Sequence, residues 1–278
     1  MKMKRKRIVL IALVFFFAAA AMWIYYDNQR IVTTRHTLTF DHLPAAFDGF
    51  TIAQISDLHN AEFGEDNAEL LDALRDAAPD IIVISGDIID SRHTDVEIAA
   101  SFAEAAVEIA PVYYVTGNHE GRIPEDAAVL EKRMTATGVS VLHNERTFFY
   151  RGEDRIALIG MDDPSMTADV GALSEQLRVL SDPAYFSVLL SHRPDLFDLY
   201  CDAGADLVFS GHAHGGQFRF PLLGGVFAPN QGFFPDYTDG CYTKGDTTMV
   251  VSRGLGNSLF PFRVNNPPEI VIISLQGR

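Results

Sequence analysis

The sequence has little cysteine and, beyond its first residues, little positive charge. Cys201 and Cys241 are the only cysteines among 278 residues, and two thiols do not establish a disulfide. Five of the 22 lysines and arginines stand in the first seven residues, so that from Asp27 onward 17 basic residues face 37 acidic ones, a formal net charge of -20. So acidic a body has no broad basic face, which argues against long nucleic acids as partners. Repeats and an internal linker are also absent, and the length suits one large α/β domain.

The one long uncharged run lies near the N-terminus, over residues 8–26. Its 19 residues can just cross a bilayer, and the five basic residues before it predict a cytoplasmic N-terminus. Trp23 and the two tyrosines after it would form an aromatic belt at the far interface. The alanines at 18–21 also offer signal-peptide cleavage sites, but the apolar run continues past them, which favours an uncleaved single-pass anchor. Either alternative places residues 27–278 outside the cytoplasm, held at the cell membrane if anchored and secreted if cleaved.

Five apolar runs in the body end in the same way. Each is a predicted strand that finishes in Ser or Thr, sometimes followed by Gly, and then presents Asp, Asn or His. The five endings are Ser56-Asp57, Ser85-Gly86-Asp87, Thr116-Gly117-Asn118, Ser191-His192 and Ser210-Gly211-His212. Because ligands bind outside the carboxyl ends of strands in α/β sheets, we expect these endings to converge on one edge. The pattern alone predicts an α/β protein with mainly parallel early strands.

The side chains at these endings predict a metal centre. With two further histidines the set is Asp57, His59, Asp87, Asn118, His192, His212 and His214. Oxygen and nitrogen donors without a thiolate suit Mn, Fe, Zn, Co or Ni, and the set is too rich in imidazole for Ca or Mg. One ion rarely uses so many protein ligands, whereas two ions about 3.5–4 Å apart that share a carboxylate can do so and can clamp a phosphoryl group. We therefore expect two divalent metal ions as cofactors.

In their order along the chain, these motifs resemble the signature blocks of the calcineurin-like metallophosphoesterases. The blocks are Asp57-x-His59, Gly86-Asp87-x-x-Asp90, Gly117-Asn118-His119-Glu120, His192 and Gly211-His212-x-His214. The anchor, Gly215-Gly216-Gln217 and the stretch 252–257 resemble the membrane-associated bacterial branch similar to the YkuE phosphoesterases. The resemblance implies a four-layer α/β fold, in which two mixed β-sheets pack as a sandwich flanked by helices. It divides the chain into a basic N-terminus (1–7), an anchor (8–26), a connection with an edge strand (27–49) and a phosphoesterase domain (50–278).

The resemblance also implies a role for each motif residue. The first metal ion would be held by Asp57, His59 and His214. The second would be held by Asn118, His192 and His212, with Asp87 bridging the two ions. His119 would protonate the leaving oxygen as a general acid, and Asp90 would orient His119 and keep it protonated. Glu120 stands where many members carry Asp, and both a solvent-facing and a supporting role stay open.

One departure from the family concerns phosphate binding. In the phosphoprotein phosphatase branch an Arg directly follows the position of Asp90, whereas here Ser91 follows and Arg92 comes one residue later. A phosphate clamp inherited from that branch is therefore in doubt. Arg92, Arg122 and Arg193 are candidate replacements because they stand close to the motifs, although a surface or structural role is the simpler interpretation of each.

The expected function is that of a dinuclear metal-dependent phosphoesterase. It would hydrolyse a phosphodiester or pyrophosphate bond by in-line attack of a metal-bridging hydroxide. Membrane tethering and the aromatic stretch 217–245 favour a lipid-linked or envelope substrate, and a phosphomonoester or soluble nucleotide is the alternative. That stretch could line an apolar substrate groove or pack as core. A non-catalytic metal-binding envelope protein is an alternative of another class, and it would not need His119 beside a complete ligand set.

Overall fold

The apolar runs of the sequence form two β-sheets that pack face to face. In the computed structural model, which describes residues 2–167 and 170–278, each of these two sheets has six strands. From edge to edge, the first sheet contains β1 (Val32–Phe40), β16 (Glu269–Gly277), β2 (Thr51–Ile55), β3 (Ile81–Ser85), β4 (Val112–Val115) and β5 (Ser140–Val141). The second contains β14 (Gly240–Lys244), β15 (Thr247–Val251), β9 (Leu207–Ser210), β8 (Ser187–Leu190), β7 (Asp154–Gly160) and β6 (Glu145–Arg151).

Strand direction decides where the strand endings lie. Strands β2 to β5 run parallel to one another, and so do β7, β8, β9 and β15. Antiparallel pairs join β16 to β2, β6 to β7 and β14 to β15, so both sheets are mixed. Parallel neighbours have their carboxyl ends at the same edge of a sheet, so each sheet presents a row of strand endings there.

Successive residues of each strand face different layers of the molecule. Val83 of the first sheet and Phe209 of the second lie in one buried cluster between the sheets. Their neighbours Ile82 and Val208 instead join two other clusters, which pack each sheet against helices. This alternation follows from the two-residue period of a strand. The order of layers is helices, sheet, sheet and helices, which confirms the predicted α/β sandwich.

Helices on the outer faces begin where local signals place them. Asp95 caps α3 (Val96–Val107), because its carboxylate accepts the N–H of Glu97 at 2.9 Å. Pro124 opens α5 (Pro124–Thr137), where its missing N–H has no cost. The other outer helices are α2 (Ala68–Ala77), α7 (Val170–Leu180) and α8 (Phe197–Asp202). Two short helices, α4 (Asn118–Arg122) and α6 (Pro164–Thr167), follow β4 and β7.

Two predicted boundaries differ from the structure. The run Thr37-Leu38-Thr39-Phe40 predicts a short edge strand within the connection 27–49, but the strand extends over all of β1, which pairs along its whole length with β16. The helical spacing of Leu70, Leu71 and Leu74 predicts a helix over 65–77, but α2 begins only at Ala68, because residues 66 and 67 take left-handed φ angles of 52° and 59°. In both cases backbone geometry, rather than hydrophobic spacing, sets the boundary.

The aromatic stretch 217–245 folds as short hairpins. Besides β14 it contains β10 (Arg219–Phe220), β11 (Gly224–Gly225), β12 (Phe227–Ala228) and β13 (Gly232–Phe233). Neither predicted alternative describes all of it, since Ala228 and Tyr237 join a core cluster while Phe233 is exposed. Cys201 on α8 and Cys241 on β14 are not paired in this structure.

The apolar N-terminal run forms the helix α1 (Lys2–Gln29), which is longer than residues 8–26. Over Arg5–Gln29 it is long and apolar enough to cross a membrane, and its apolar window is not buried in the protein. Its last turn docks on the sandwich, because Asp27 is buried. The Asn28 carboxamide accepts the N–H of Arg263 at 2.8 Å and donates to the carbonyl of Arg263 at 2.9 Å. The helix is therefore fixed to the domain at its C-terminal end.

A polar cluster joins the end of β7 to the first sheet. The Asp162 carboxylate accepts from Thr116 Oγ1 at 3.0 Å and from Asn144 Nδ2 at 2.8 Å, and it pairs with His143 Nδ1 at 2.8 Å. The other ring nitrogen of His143 lies 3.3 Å from Glu131. Hydrogen bonds to Asp162 and Glu131 raise the pKa of His143 from 6.5 to about 10.

The cluster predicts a pH-dependent contribution to stability. Because its folded pKa is raised, His143 stabilises the protein fully below about pH 6.5 and loses this effect as the pH rises through about 10. The side chain is 43% exposed, so we expect His143→Gln to cost at most about 1 kcal/mol at pH 6. Denaturant unfolding of the detergent-solubilised chain at pH 6, 8 and 10 measures this, with exposed His93→Gln as control. A His143→Gln effect that is equal at all three pH values would contradict the prediction.

Candidate metal centre

The five strand endings meet at one edge of the sandwich, as expected. Endings of β2, β3 and β4 come from the first sheet, and those of β8 and β9 come from the second. Across the gap, His192 Nε2 lies 3.1 Å from Asp87 Oδ2, and His214 Nε2 lies 3.4 Å from Asp57 Oδ1. The site is thus built from both sheets, and side chains far apart in sequence contact one another.

The predicted ligands lie in two groups. In each group the donor atoms are within 4.8 Å of one another, and the groups are Asp57, His59 and His214, and Asp87, His192 and His212. Asn118 contacts the second group, because an end of its carboxamide lies 2.6 Å from His212 Nδ1. Asp87 Oδ2 also lies 3.7 Å from His59 Nε2, so this carboxylate touches both groups. That is the position expected of a bridging ligand.

The residues present fit divalent metal ions. Both ring nitrogens of His59 are buried and have no hydrogen-bond partner among the described residues. Such a pair is costly in a protein interior unless another partner binds it. The carboxamide oxygen of Asn118 faces only acceptors, among them His212 Nδ1, and a cation bound between them would give this oxygen a favourable partner. Imidazole, carboxylate and amide donors without a thiolate match the expected metals.

The backbone at the candidate ligands is strained. Left-handed φ angles occur at five of them, namely Asp57 (50°), His59 (47°), Asp87 (52°), His212 (65°) and His214 (47°). Each such residue costs roughly 1–3 kcal/mol, and strain of this kind concentrates at functional sites. Hydrogen bonds hold it in place, among them two from the His212 N–H to the Asp57 carboxylate at 3.1 Å.

Two glycines let the loops approach closely. A Cβ at Gly117 would lie 2.2 Å from Asp87 Oδ1, and one at Gly211 would lie 1.9 Å from Ser56 Oγ. Real Cβ atoms do not approach other atoms so closely, so a side chain at either position would displace the loop that carries a candidate ligand. The glycines in the predicted strand endings thus serve packing at the site.

The carboxylates of Asp57 and Asp87 are held in their charged form. Burial raises the pKa of Asp57, but the adjacent His214 and His59 outweigh burial and lower that pKa below its ordinary range. The pKa of Asp87 is likewise well below its usual value, because His192 and His59 outweigh burial. Conversely, burial lowers the pKa of His192, but Asp87 raises it to about 10. Two buried carboxylates so close together favour a bound cation.

Comparisons with known proteins agree with this geometry. Residues 50–216 match the family model of the calcineurin-like phosphoesterases, which is more than half of the chain. The chain belongs to the calcineurin-like phosphoesterase family. It is 33% identical over 263 residues to the uncharacterised metallophosphoesterase YkuE of Bacillus subtilis (strain 168), covering 91% of this chain and 88% of YkuE. It is 28% identical over 246 residues to the phosphodiesterase YaeI of Escherichia coli (strain K12), covering 87% of each chain.

A solved structure supports the fold. The phosphopantetheinyl hydrolase PptH of Mycobacterium tuberculosis superposes with a TM-score of 0.51 at 13% identity, covering 75% of this chain and 91% of PptH. At this identity the likeness shows the fold alone. Family membership indicates a metal-dependent phosphoester hydrolase, and the residue groups are compatible with the dinuclear centre of such a phosphoesterase.

His119 of this phosphoesterase lies beside the first group of ligands. Its ring is 4.4 Å from that of His59, and its Nδ1 is 3.4 Å from Asp90 Oδ1. The N–H of Ser91 donates to Nδ1 at 3.0 Å, which leaves the proton of the neutral ring on Nε2. The role predicted for Asp90, to orient His119 and keep it protonated, stays a prediction, and Asp90 acts on the pKa of His119 in the predicted direction. Burial lowers the pKa of His119 to about 4, although Asp87 and Asp90 act in the opposite direction.

Glu120, whose role the sequence left open, is a supporting residue. Its buried carboxylate accepts the N–H groups of Asp87 at 3.0 Å, Ile88 at 2.9 Å, Ile89 at 3.2 Å and Gly117 at 2.8 Å. It therefore ties the loop after β3, which carries Asp87, to the loop after β4. Burial and the charge of Asp87 raise the pKa of Glu120 to about 7.

The three arginines near the motifs have different surroundings. Arg193 donates twice to Asp195 at 2.9 Å, and Arg92 donates to the carbonyl of Ser258 at 2.9 Å. Arg122 is exposed, and its guanidinium reaches the Asn118 carboxamide at 3.1 Å. Of the three, only Arg122 lies against a candidate ligand.

Three site residues have no signal in the sequence pattern. Asn230 Oδ1 contacts His212 Nε2 at 2.8 Å, and Ser258 Oγ contacts His119 Nε2 at 3.1 Å. Arg263 is fully buried, and its Nη2 lies 3.4 Å from His214 Nδ1. All three come from irregular segments after β9, where neither period nor spacing marks a functional position. Asn230 lies within the aromatic stretch 217–245 and Ser258 follows the stretch 252–257, but nothing in either stretch singles out these two residues.

The supporting role of Glu120 predicts the effect of its conservative replacement. In Glu120→Gln an amide NH₂ replaces one carboxylate oxygen and faces N–H donors, so at least one buried N–H loses its partner. We expect a loss of about 1–3 kcal/mol in the free energy of unfolding and a lower metal content, because the Asp87 loop is released. Denaturant unfolding and elemental analysis measure both. The exposed Glu125→Gln is the matched control, and equal behaviour of the two variants would contradict the role.

Proposed function

We propose that this chain is a dinuclear metal-dependent phosphoesterase that hydrolyses a phosphodiester or pyrophosphate bond. The observation that carries the proposal is the pair of buried ligand groups, with Asp87 of one group 3.7 Å from His59 of the other and with His119 alongside. Membership in the calcineurin-like phosphoesterase family supports it, and the name of the related phosphodiesterase YaeI supports the diester.

The proposed ligands follow the two groups. Asp57, His59 and His214 hold one divalent ion, and Asn118, His192 and His212 hold the other, with Asp87 between them. Bound ions there supply Lewis-acid chemistry, which lowers the pKa of water and polarises phosphoryl oxygens. The chain itself fixes the geometry: the strained loops and the Glu120 hydrogen bonds keep the donors in place before substrate arrives.

His119 is proposed to donate a proton from Nε2 to the leaving oxygen. A bound phosphate anion raises the pKa of a neighbouring imidazole, which offsets the effect of burial. In the protonated ring Nδ1 also carries a proton, and Asp90 Oδ1, 3.4 Å away, is the acceptor that faces it. Arg122, beside Asn118, is the proposed cation that neutralises charge on the phosphoryl oxygens.

The substrate is proposed to be membrane- or envelope-linked. The support is α1, which has the length and composition of a membrane span and ends against the sandwich. With five basic residues at its start, the helix would place the phosphoesterase domain on the extracytoplasmic side. A phosphomonoester or soluble nucleotide is the alternative substrate, and cleavage of α1 would instead give a secreted enzyme.

Replacement of His119 tests this function. For His119→Ala we expect near wild-type metal content and turnover of bis-p-nitrophenyl phosphate reduced about 10²–10⁴-fold, the range for loss of a general acid. Steady-state rates with the diester and with p-nitrophenyl phosphate measure this, with the exposed His93→Ala as control.

Each other outcome of this experiment is informative. Unchanged turnover would remove His119 from the mechanism, and a preference for the monoester would favour the alternative substrate. A metal-loaded wild type that turns over no phosphate ester would favour a non-catalytic metal-binding protein.

The two histidines of the last motif are predicted to serve different ions. His212→Ala should lower the affinity for the ion near Asp87 and His192. His214→Ala should lower the affinity for the ion near Asp57 and His59, because the two histidines belong to different groups. Loss of a direct ligand should weaken that site by more than the 10–100-fold, or about 1.4–2.7 kcal/mol, typical of outer-shell changes. Anomalous difference maps of both variants locate the missing ion. Loss of the same ion in both variants would refute the assignment.

A further inference from the structure

Large apolar side chains are exposed on two segments beside the candidate metal centre. They are Phe220, Leu222, Leu223, Phe233, Phe234, Leu259 and Phe262, which we call the apolar loop patch. Leu222 is completely exposed and Phe233 is 74% exposed. Elsewhere in the described part of the chain outside α1, large exposed apolar side chains stand singly, such as Val129 and Val179. A contiguous exposed apolar surface commonly marks an interaction site.

The patch is continuous because its two segments pack on each other. Phe218 lies 5.1 Å from Phe260 and 5.7 Å from Phe262, ring centre to ring centre. The N–H of Arg219 donates to the carbonyl of Val264 at 2.9 Å, which joins the segments through the backbone. The two segments therefore present their exposed side chains from a connected structure.

The patch is also joined to the end of α1. Arg263, next to Phe262, exchanges two backbone hydrogen bonds with the Asn28 carboxamide. Trp23 stands five residues before Asn28, about 7.5 Å along a helix axis, and is 47% exposed. Trp23 and the exposed Tyr25 and Tyr26 have the character of an interfacial belt. The patch is therefore joined to α1 only a few residues after the aromatic belt, where the helix would leave the bilayer.

The patch differs from the rest of the surface in that it lacks charged residues. The segments 220–235 and 254–262 contain no Asp, Glu, Lys or Arg, although the chain as a whole carries a net charge of -15. A charged side chain of either sign loses hydration when it enters the boundary between headgroups and acyl chains, which costs free energy unless it is paired. The acidic surface is thus interrupted where the protein lies next to its anchor.

We propose that the apolar loop patch is a second membrane contact, which rests in the headgroup region of the bilayer that α1 crosses. Amphipathic surfaces of this kind enter the boundary between headgroups and acyl chains by about 5–10 Å. Because Asn230 and Ser258 of the same segments contact His212 and His119, this contact sets the metal centre beside the headgroup layer. If the proposed function holds, the favoured substrates are phosphodiesters that lie in that layer.

Depth-dependent quenching tests the contact. The full chain with Cys201→Ser and Cys241→Ser is reconstituted in phosphatidylcholine and phosphatidylglycerol vesicles, and a polarity-sensitive fluorophore is attached through Leu222→Cys. Headgroup-proximal spin-labelled lipid should reduce its emission roughly twofold, as expected for a probe within about 5–10 Å of the interface. The matched control is Val179→Cys on α7, which is 73% exposed and should not be quenched.

Other outcomes would overturn the proposal. If the spin-labelled lipid quenched the fluorophore at position 222 no more than the one at position 179, the patch would face water. If emission at position 222 shifted to the blue as the protein-to-lipid ratio rose, and lipid did not quench it, the patch would instead bind a second copy of the chain.

An activity measurement separates this inference from the proposed function. Leu222→Asp with Leu223→Asp should leave turnover of soluble bis-p-nitrophenyl phosphate unchanged and reduce that of a phospholipid diester in vesicles about tenfold. Equal turnover of the phospholipid by variant and wild type would overturn the link between patch and substrate. If the fluorophore at position 222 were quenched as expected but the chain turned over neither substrate, the proposed phosphoesterase function would be refuted and the membrane contact would still hold.

Discussion

The left-handed backbone at the ends of the strands is the constraint on which the site depends. After β2, β3 and β9 the strand stops and the chain turns at once through left-handed residues, so that donors from both sheets reach one small volume. Such turns are unfavourable for residues with a side chain, and the surrounding hydrogen bonds must hold them. Glu120 supplies four of these bonds and the Asp57 carboxylate two more, while Gly117 and Gly211 leave the space that the turns need. The sandwich therefore serves as a rigid frame for loops that would not adopt this geometry alone.

The electrostatics of the site also follow from the meeting of the strand endings in one small buried volume. Five imidazoles and four carboxylates are buried at one edge of the sandwich, the carboxylates being those of Asp57, Asp87, Asp90 and Glu120. The pKa values within this set diverge according to burial and to the neighbours of each group. Asp87 raises the pKa of His192 to about 10, whereas burial lowers that of His212 to about 4. The ring nitrogens of His59 also have no hydrogen-bond partner among the described residues, so the protein does not satisfy every polar group of the site.

Much of this arrangement could be predicted from the sequence, for a physical reason. Buried parallel strands are short apolar runs, and the residue after each run lies at a known edge, so Asp57, Asp87, Asn118, His192 and His212 could be placed together. Long-range contacts from irregular segments could not, and Asn230, Ser258 and Arg263 were therefore missed. The pKa of His119 could not be judged from the sequence, which shows the neighbouring Asp90 but not how completely the ring is buried. The start of α2 was misplaced because the left-handed turn before it follows from packing.

The junction between Asn28 and Arg263 makes the end of the first helix a structural part of the globular body. The guanidinium of Arg263 donates to the carbonyls of Arg253 and Gly256 and reaches His214, so this one residue joins the helix, the irregular segment and a candidate ligand. A shortened chain without the helix would leave the backbone N–H and carbonyl of Arg263 without their partner. Proteins with a removable tether are routinely studied in shortened, soluble form. In this protein, removal of α1 would disturb Arg263, which contacts both Asn28 and the candidate ligand His214. The whole chain is therefore the appropriate unit for purification and assay.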